Sequence, residues 1–524
     1  MFCRARYVSS SLLFHPKSKI RFLRQITVTK FFYNNLQTIV KSKPYFQSHH
    51  RKYYAVFLCA STFGLYEVAR YVTKNKISET ESDTDITIVT QEGENYLNRT
   101  SSSSLSLAIK KGRDIVQRIK DEFGAPGIVV GVSVNGHTVW QEGFGHADVE
   151  NHVPCHKDTV MRIASISKSI TMIAIGKLWE EKKLDLDKPI QEYVPNFPEK
   201  YFENEKVTLT CRHLVSHLGG IRHYDKPFLK SNTDSTSKQK IQDNETVENR
   251  NSEKINEKKN NTKEENPKKE ENEFELKDYF PDVQSSLELF KNDPLVNKPG
   301  SKFMYTTHGW TLLSAVVEAV VQEPFGVYMS KLFQELGLKN TFLDTNDTII
   351  YNRSRYYRHT KDGLINAPYV DNSYKWAGGG LLSTVGDLLQ FGNIMLYSFQ
   401  HNSNNNNPLP GYLNSETVNQ MWSPVTESQS NNCYYGLGWL VVPENQRYGC
   451  CFQQKLICFH TGSAVGARSV LLIVPRSCDM KDTRKCKWTN PPQGVIVSVI
   501  ANLENVPLRK TALKVAGVFE DVTV

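Results

Sequence analysis

Apolar and polar positions alternate with two different periods along this chain. In "LSLAIKKGRDIVQRIKDEFG", Leu105–Gly124, apolar residues recur at three- and four-residue steps, which predicts an amphipathic helix stopped at Gly124. The following "GIVVGVSVNGHTVWQEGFGHAD" holds two β-rich runs joined across Asn135-Gly136, the signature of a hairpin. Near the other end, "LICFHTG", "ARSVLLIVP" and "GVIVSVIANLE" predict three further strands, and "PLRKTALKVAGVFEDV" predicts a closing helix. Strands at both ends with helices between them predict an α+β fold. One antiparallel sheet is assembled from the two termini and flanked by helices, and the middle of the chain supplies a helical subdomain.

The aperiodic stretches mark boundaries. Residues 73–104 are polar and rich in Ser and Thr ("SETESDTD", "SSSS") and read as a linker, so order is expected to begin near Leu105 and to run as one domain to residue 524. Residues 230–273 are almost wholly polar and charged with mixed sign. Such a segment cannot bury enough apolar surface to offset its ordering entropy, and it reads as a disordered surface insertion.

Charge changes the picture only at the start. The chain carries +9, yet residues 1–66 hold eleven Lys or Arg and no acid, so the remainder is slightly negative. The folded part therefore gives no reason to expect nucleic-acid binding. Residues 1–52, basic, hydroxyl-containing and acid-free, have the composition of a mitochondrial transit peptide. The uncharged "YYAVFLCASTFGLY" follows, inside 53–72. It is shorter than the roughly 20 residues of a spanning helix and reads as a sorting or anchoring segment. Of ten cysteines, Cys450, Cys451, Cys458, Cys478 and Cys486 lie in the C-terminal quarter with no Cys-x-x-Cys zinc spacing; they read as free thiols, the alternative being a pair or two of disulfides in an oxidising compartment. His213, His217 and His223 match no zinc template either and, with Leu214 and Leu218 beside them, read as core packing. No metal or cofactor is implied.

The candidate chemistry lies in "RIASISKSITMIAIGKLWEEKKLDLDKPI", Arg162–Ile190. On a helix, Ser165 and Lys168 stand one turn apart on one face. A serine hydroxyl becomes a strong nucleophile when a base takes its proton, and a lysine whose pKa is lowered by burial can do so. The helix N-terminus favours the developing negative charge. Ser-x-x-Lys alone is weak, since two more copies begin at Ser235 and Ser237 inside the charged insertion.

Context strengthens it. "LVSHLGGI" (214–221), "FMYTTHGWTLLSAVVE" (303–318), "WAGGGLLSTVGDLLQFG" (376–392), "YGLGW" (435–439) and "FHTGSAVGARSVLL" (459–472) follow in order. In these motifs the chain resembles the serine β-lactamase and penicillin-binding-protein superfamily, in its class C-like branch and among its mitochondrial animal members, from Leu105 to the C-terminus less the insertion. The resemblance implies a β-lactamase/transpeptidase-like fold and a hydrolase that works through an acyl-enzyme. It implies that Ser165 is the nucleophile, Lys168 its base, and Tyr305 the proton carrier to the leaving group. His460, Thr461 and Gly462 stand where the family has Lys-Thr-Gly, and the backbone N–H groups of Ser165 and Ser463 would form the oxyanion hole. Two departures stand out: Tyr305-Thr306-Thr307 replaces Tyr-x-Asn, and His460 replaces the strand lysine. A histidine is mostly neutral where lysine is charged, so a grip on a β-lactam carboxylate is not implied. The implied activity is a peptidase acting on amide bonds of peptides or proteins, in the mitochondrial intermembrane space or at the inner membrane. The alternative is a scaffold that self-associates into homo-oligomers or filaments.

Overall fold

Gly127–Val134 (β1) is buried along its whole length and turns directly into His137–Asp148 (β2). The turn residues Asn135 and Gly136 both have positive φ, 48° and 84°, as a two-residue hairpin turn matched to strand twist requires. Val134 pairs with His137 across it. The computed structural model describes residues 91–224, 273–401, 411–428, 432–446, 453–476 and 492–522. The transit peptide, the sorting segment, nearly all of the charged insertion, and Cys450, Cys451, Cys478 and Cys486 lie outside the described residues.

The three late runs form Ile457–Ala464 (β3), Ala467–Pro475 (β4) and Gly494–Ala501 (β5). They join the hairpin in one antiparallel nine-stranded sheet, in which β3, β4, β5, β1 and β2 lie side by side in that order. Ile128 pairs with Ala501 and Arg468 pairs with Ala501 on its other side, so β5 welds the two ends of the chain together. Short strands continue the sheet past β3, and Val153–Pro154 closes it past β2.

Both faces of the sheet are covered, which explains why its strands read as near-continuous apolar runs. Val130, Val132, Val470, Leu472, Val497 and Val499 pack against Val116 of Gln91–Glu122 (α1) and against Ala512, Val515 and Phe519 of the closing helix. The alternate residues Val129, Leu471, Ile473, Ile496 and Ile500 face the opposite way, toward Ile166–Glu180 (α2) and Val385–Gln400. That second layer includes His308–Val321 (α3), whose first ten residues are buried. We number Val385–Gln400 as α4 and Leu508–Phe519 as α5.

The α+β architecture agrees with the sequence pattern. One boundary differs. α1 begins at Gln91, ahead of the start expected at Leu105, so part of the segment read as linker is helical.

Candidate active site

Ser165 occupies the N-cap of α2, but its hydroxyl makes no capping bond. The first-turn amides are satisfied locally instead: Ile166 N donates to Ile163 O at 3.2 Å, Ser167 N to Ala164 O at 2.9 Å and Lys168 N to Ser165 O at 3.1 Å. The serine oxygen is thereby left free for chemistry. Ala164 just before it has φ of 48°, a left-handed conformation that a non-glycine residue adopts only when its surroundings enforce it.

Those surroundings are visible. Arg162 N accepts no slack: it donates to Tyr356 Oη at 2.9 Å, while the buried guanidinium binds Asp344 Oδ2 at 2.8 Å and Val465 O at 3.0 Å. Leu381–Ser383 pairs with Met161–Arg162, and Ile163 N donates to Leu381 O at 3.0 Å. From β4, Ser469 Oγ donates to Ile163 O at 2.7 Å. Gly462 of β3 lies so close that a Cβ there would sit 2.2 Å from Ile163 O, which accounts for glycine at that position.

Lys168 is fully buried. Its Nζ lies 3.2 Å from Ser165 Oγ, 3.3 Å from Thr307 Oγ1, and in close contact with Gly378 O. Burial, helped by the charge of Lys375, holds its pKa well below that of an ordinary lysine. A neutral amine has two N–H groups and one lone pair. In that neutral form Gly378 O and Thr307 Oγ1 take the two donors, and the lone pair faces the Ser165 hydroxyl. Gly378 must be glycine for this contact, because a Cβ would meet Thr307 Cγ2 at 2.6 Å.

Tyr305 is half-buried beside both groups. Lys168 Nζ sits 4.8 Å from the centroid of its ring. Burial raises the pKa of its hydroxyl, with the Ser165 hydroxyl opposing the rise, so the phenol keeps its proton at neutral pH. The structure thus brings Ser165, Lys168 and Tyr305 together at the head of α2.

His460 behaves differently from the residue expected to meet a substrate. It is 1% exposed, and both ring nitrogens are committed within the protein. Nδ1 lies 2.8 Å from the Thr461 carbonyl, which accepts its hydrogen, so Nε2, 3.0 Å from Tyr435 Oη, accepts from that hydroxyl. Burial above all lowers its pKa to about 3. His460 is a neutral, inward-turned member of a Tyr435–His460–Tyr305 aromatic group. Its neighbours on β3 differ: Thr461 is half-buried and Ser463 exposed. The adjoining strand Leu440–Val442 pairs with β3 only as far as Phe459, so the edge carrying Thr461, Gly462 and Ser463 extends beyond that pairing.

Three residues were given no role from sequence. Thr307 supplies the hydroxyl on Lys168. Tyr435, inside the quoted "YGLGW", holds His460. Lys375, just before the glycine-rich turn, is a second buried lysine, 6% exposed and set over the rings of Tyr224, Phe274 and Tyr374. Burial, with the charge of Arg162, brings its pKa down to about 7. A groove of about 950 Å³ lies apart from this centre, lined by Glu318, Val327, Lys331 and Trp376 but by none of Ser165, Lys168 or Tyr305. Among the described residues no group of three or more His, Cys, Asp or Glu is placed to hold a metal ion.

Known proteins resemble this chain to different depths. The human serine beta-lactamase-like protein LACTB, mitochondrial, is 50% identical over 445 residues, covering 80% of this chain and 81% of that protein. Its mouse counterpart is 49% identical over 452 residues, covering 80% and 82%. Among solved structures, the octameric penicillin-binding protein homologue from Pyrococcus abyssi superposes with a TM-score of 0.54 at 22% identity, over 77% of this chain and 76% of that one. A class C beta-lactamase superposes with a TM-score of 0.53 at 15% identity, over 79% and 96%. These two likenesses concern the fold. A model of the beta-lactamase family matches residues 113–516, spanning both halves of the sheet and every residue of the centre described above, and this chain therefore belongs to the beta-lactamase family.

Proposed function

We propose that this protein is a serine hydrolase that works through an acyl-enzyme. The observation that carries the reading is the buried Lys168 amine, its pKa held well below the ordinary value, 3.2 Å from a serine hydroxyl with no capping role. Ser165 Oγ attacks a carbonyl carbon as Lys168 takes its proton. The tetrahedral oxyanion is held by the backbone N–H groups of Ser165 and Ser463. Tyr305 gives its proton to the leaving group and regains one through Lys168. Water then attacks the acyl-enzyme by the same route in reverse.

The substrate reading follows from β3. A neutral His460 with both nitrogens engaged offers no cation to a carboxylate. That supports uncharged amide or ester carbonyls over β-lactams, with amide bonds of peptides or proteins as the natural target. The mitochondrial names of the human and mouse relatives, joined to the acid-free leader, support a mitochondrial location, in the intermembrane space or at the inner membrane. Among the described residues no single helix is long and apolar enough to cross a membrane. The octameric neighbour supports self-association as a second property, and a strictly monomeric species in sedimentation at micromolar concentration would remove it.

Turnover tests the catalytic reading. A panel of neutral p-nitrophenyl esters and peptide p-nitroanilides should be cleaved by the parent and not by Ser165→Ala, and a carboxylate-bearing cephalosporin should be a poor substrate. Equal turnover by parent and variant would end the proposal.

A further inference from the structure

The stretch "LVSHLGGIRHY", Leu214–Tyr224, takes no part in the chemistry above, yet His217, Arg222 and His223 within it hydrogen-bond the Met304–Thr307 loop. Thr306 N donates to His217 Nδ1 at 3.1 Å, and the next amide, Thr307 N, donates to His223 Nδ1 at 3.3 Å. Met304 N donates to His217 O at 2.8 Å, and Thr306 Oγ1 to Arg222 O at 2.6 Å. The His217 ring also packs on Tyr305, with centroids 4.2 Å apart.

We propose that His217 and His223 are positioning residues: their bare Nδ1 atoms clamp two consecutive backbone amides and so set Tyr305 and Thr307 on Ser165 and Lys168. The inference rests on the hydrolase reading for its consequence, though not for its geometry.

Chemistry and shape both support a clamp over simple packing. An Nδ1 that accepts must carry no hydrogen, so each ring is the neutral Nε2–H tautomer. His217 Nε2 is buried and has no hydrogen-bond partner, which is a cost that filling space with an apolar side chain would avoid. Its φ of 59° is likewise unfavourable for a bulky residue. Both costs are kept while the amide bonds are kept. Burial above all keeps both rings neutral. The segment is fixed from behind. The Arg222 guanidinium binds Glu273 and Asp293, at 2.7 and 2.6 Å, and Gly220, with φ of 69°, fits where a Cβ would lie 2.0 Å from Asn297 O.

The geometry makes an unusual demand on substitution. An asparagine carbonyl oxygen sits where Nδ1 sits, whereas a glutamine carbonyl reaches one atom further, to the place of Nε2. Space filling would favour glutamine or leucine; the clamp needs asparagine. The experiment compares His217→Asn, His217→Gln, His223→Asn and His223→Gln with the parent, full chain, in two measurements. The first is hydrogen exchange of the Thr306 and Thr307 amides. The second is the rate of covalent labelling by a fluorophosphonate. The Asn variants should match the parent within about threefold in both. The Gln variants should exchange about tenfold faster at those two amides and label about tenfold more slowly. Gln variants that exchange and label like the parent, or Asn variants as impaired as Gln, overturn the clamp. His223, half-buried, keeps the comparison available if changes at His217 prevent folding. A parent that is never labelled, with the exchange pattern as expected, removes the hydrolase reading and leaves the clamp standing.

Discussion

Replacing Gly462 by alanine tests how closely the edge strand must approach the serine. A Cβ there would lie 2.1 Å from Ser469 Oγ, 2.2 Å from Ile163 O and 3.0 Å from Ala164 Cβ. The Ser469 hydroxyl is already bound to Ile163 O, and that oxygen belongs to the backbone that carries Ala164 and Ser165. Neither can yield alone. Relief requires β3 to withdraw from Ile163 by about 1 Å, and interiors packed to crystal density resist this. Overpacking of this kind costs about 1–3 kcal/mol of stability. A 1 Å displacement between the strand and the nucleophile costs about 10²-fold in rate. The assay is the second-order rate of fluorophosphonate labelling, read by intact mass, together with urea denaturation. The matched control is Gly517→Ala on α5, where an added Cβ meets nothing within 4 Å; it should label like the parent and be slightly more stable through helix propensity. A Gly462→Ala protein with parental stability and labelling within about threefold would refute the reasoning.

Other perturbations follow from the same geometry. Lys168→Arg puts a guanidinium that cannot lose its proton beside Ser165, and labelling should fall by at least about 10²-fold while circular dichroism stays native. Lys375 has a folded pKa of about 7 against 10.5 for an ordinary lysine, so between these values the unfolded chain binds more protons and stability rises with pH. Its burial penalty is fully present below pH 7, so Lys375→Met should gain most over the parent in denaturation at pH 6 and least near pH 10. Removing that charge also raises the Lys168 pKa, so the acid limb of the labelling profile should move to higher pH in the same variant. Asp344→Asn strips the carboxylate from the buried Arg162 and should cost about 3–5 kcal/mol in denaturation.

Much of the fold was legible because its signals are local. The Asn135-Gly136 turn, the apolar runs of β3 to β5 and the helical periodicity of α5 each sit within one short window. Ser165 and Lys168 were legible for the same reason, being one helical turn apart. Tyr305 and the β3 motif needed the resemblance, since nothing in their own windows points to Ser165. What sequence missed depends on partners far along the chain. The contacts of Thr307 and Gly378 with Lys168 span 139 and 210 positions, and no periodicity encodes them. His217 and His223 read as core packing because their neighbours are apolar, yet their ring nitrogens hold a loop more than eighty positions away. His460 was placed on the right strand, but its inward turn depends on Tyr435 on another strand. The start of α1 was missed because its Ser- and Thr-rich stretch carries no apolar periodicity.

The most direct test of the central claim is the intact mass of the protein lacking residues 1–72 after exposure to a fluorophosphonate, beside its Ser165→Ala variant. The account predicts one adduct on the parent and none on the variant. An adduct on both, or on neither with the fold intact, would contradict Ser165 as an activated nucleophile.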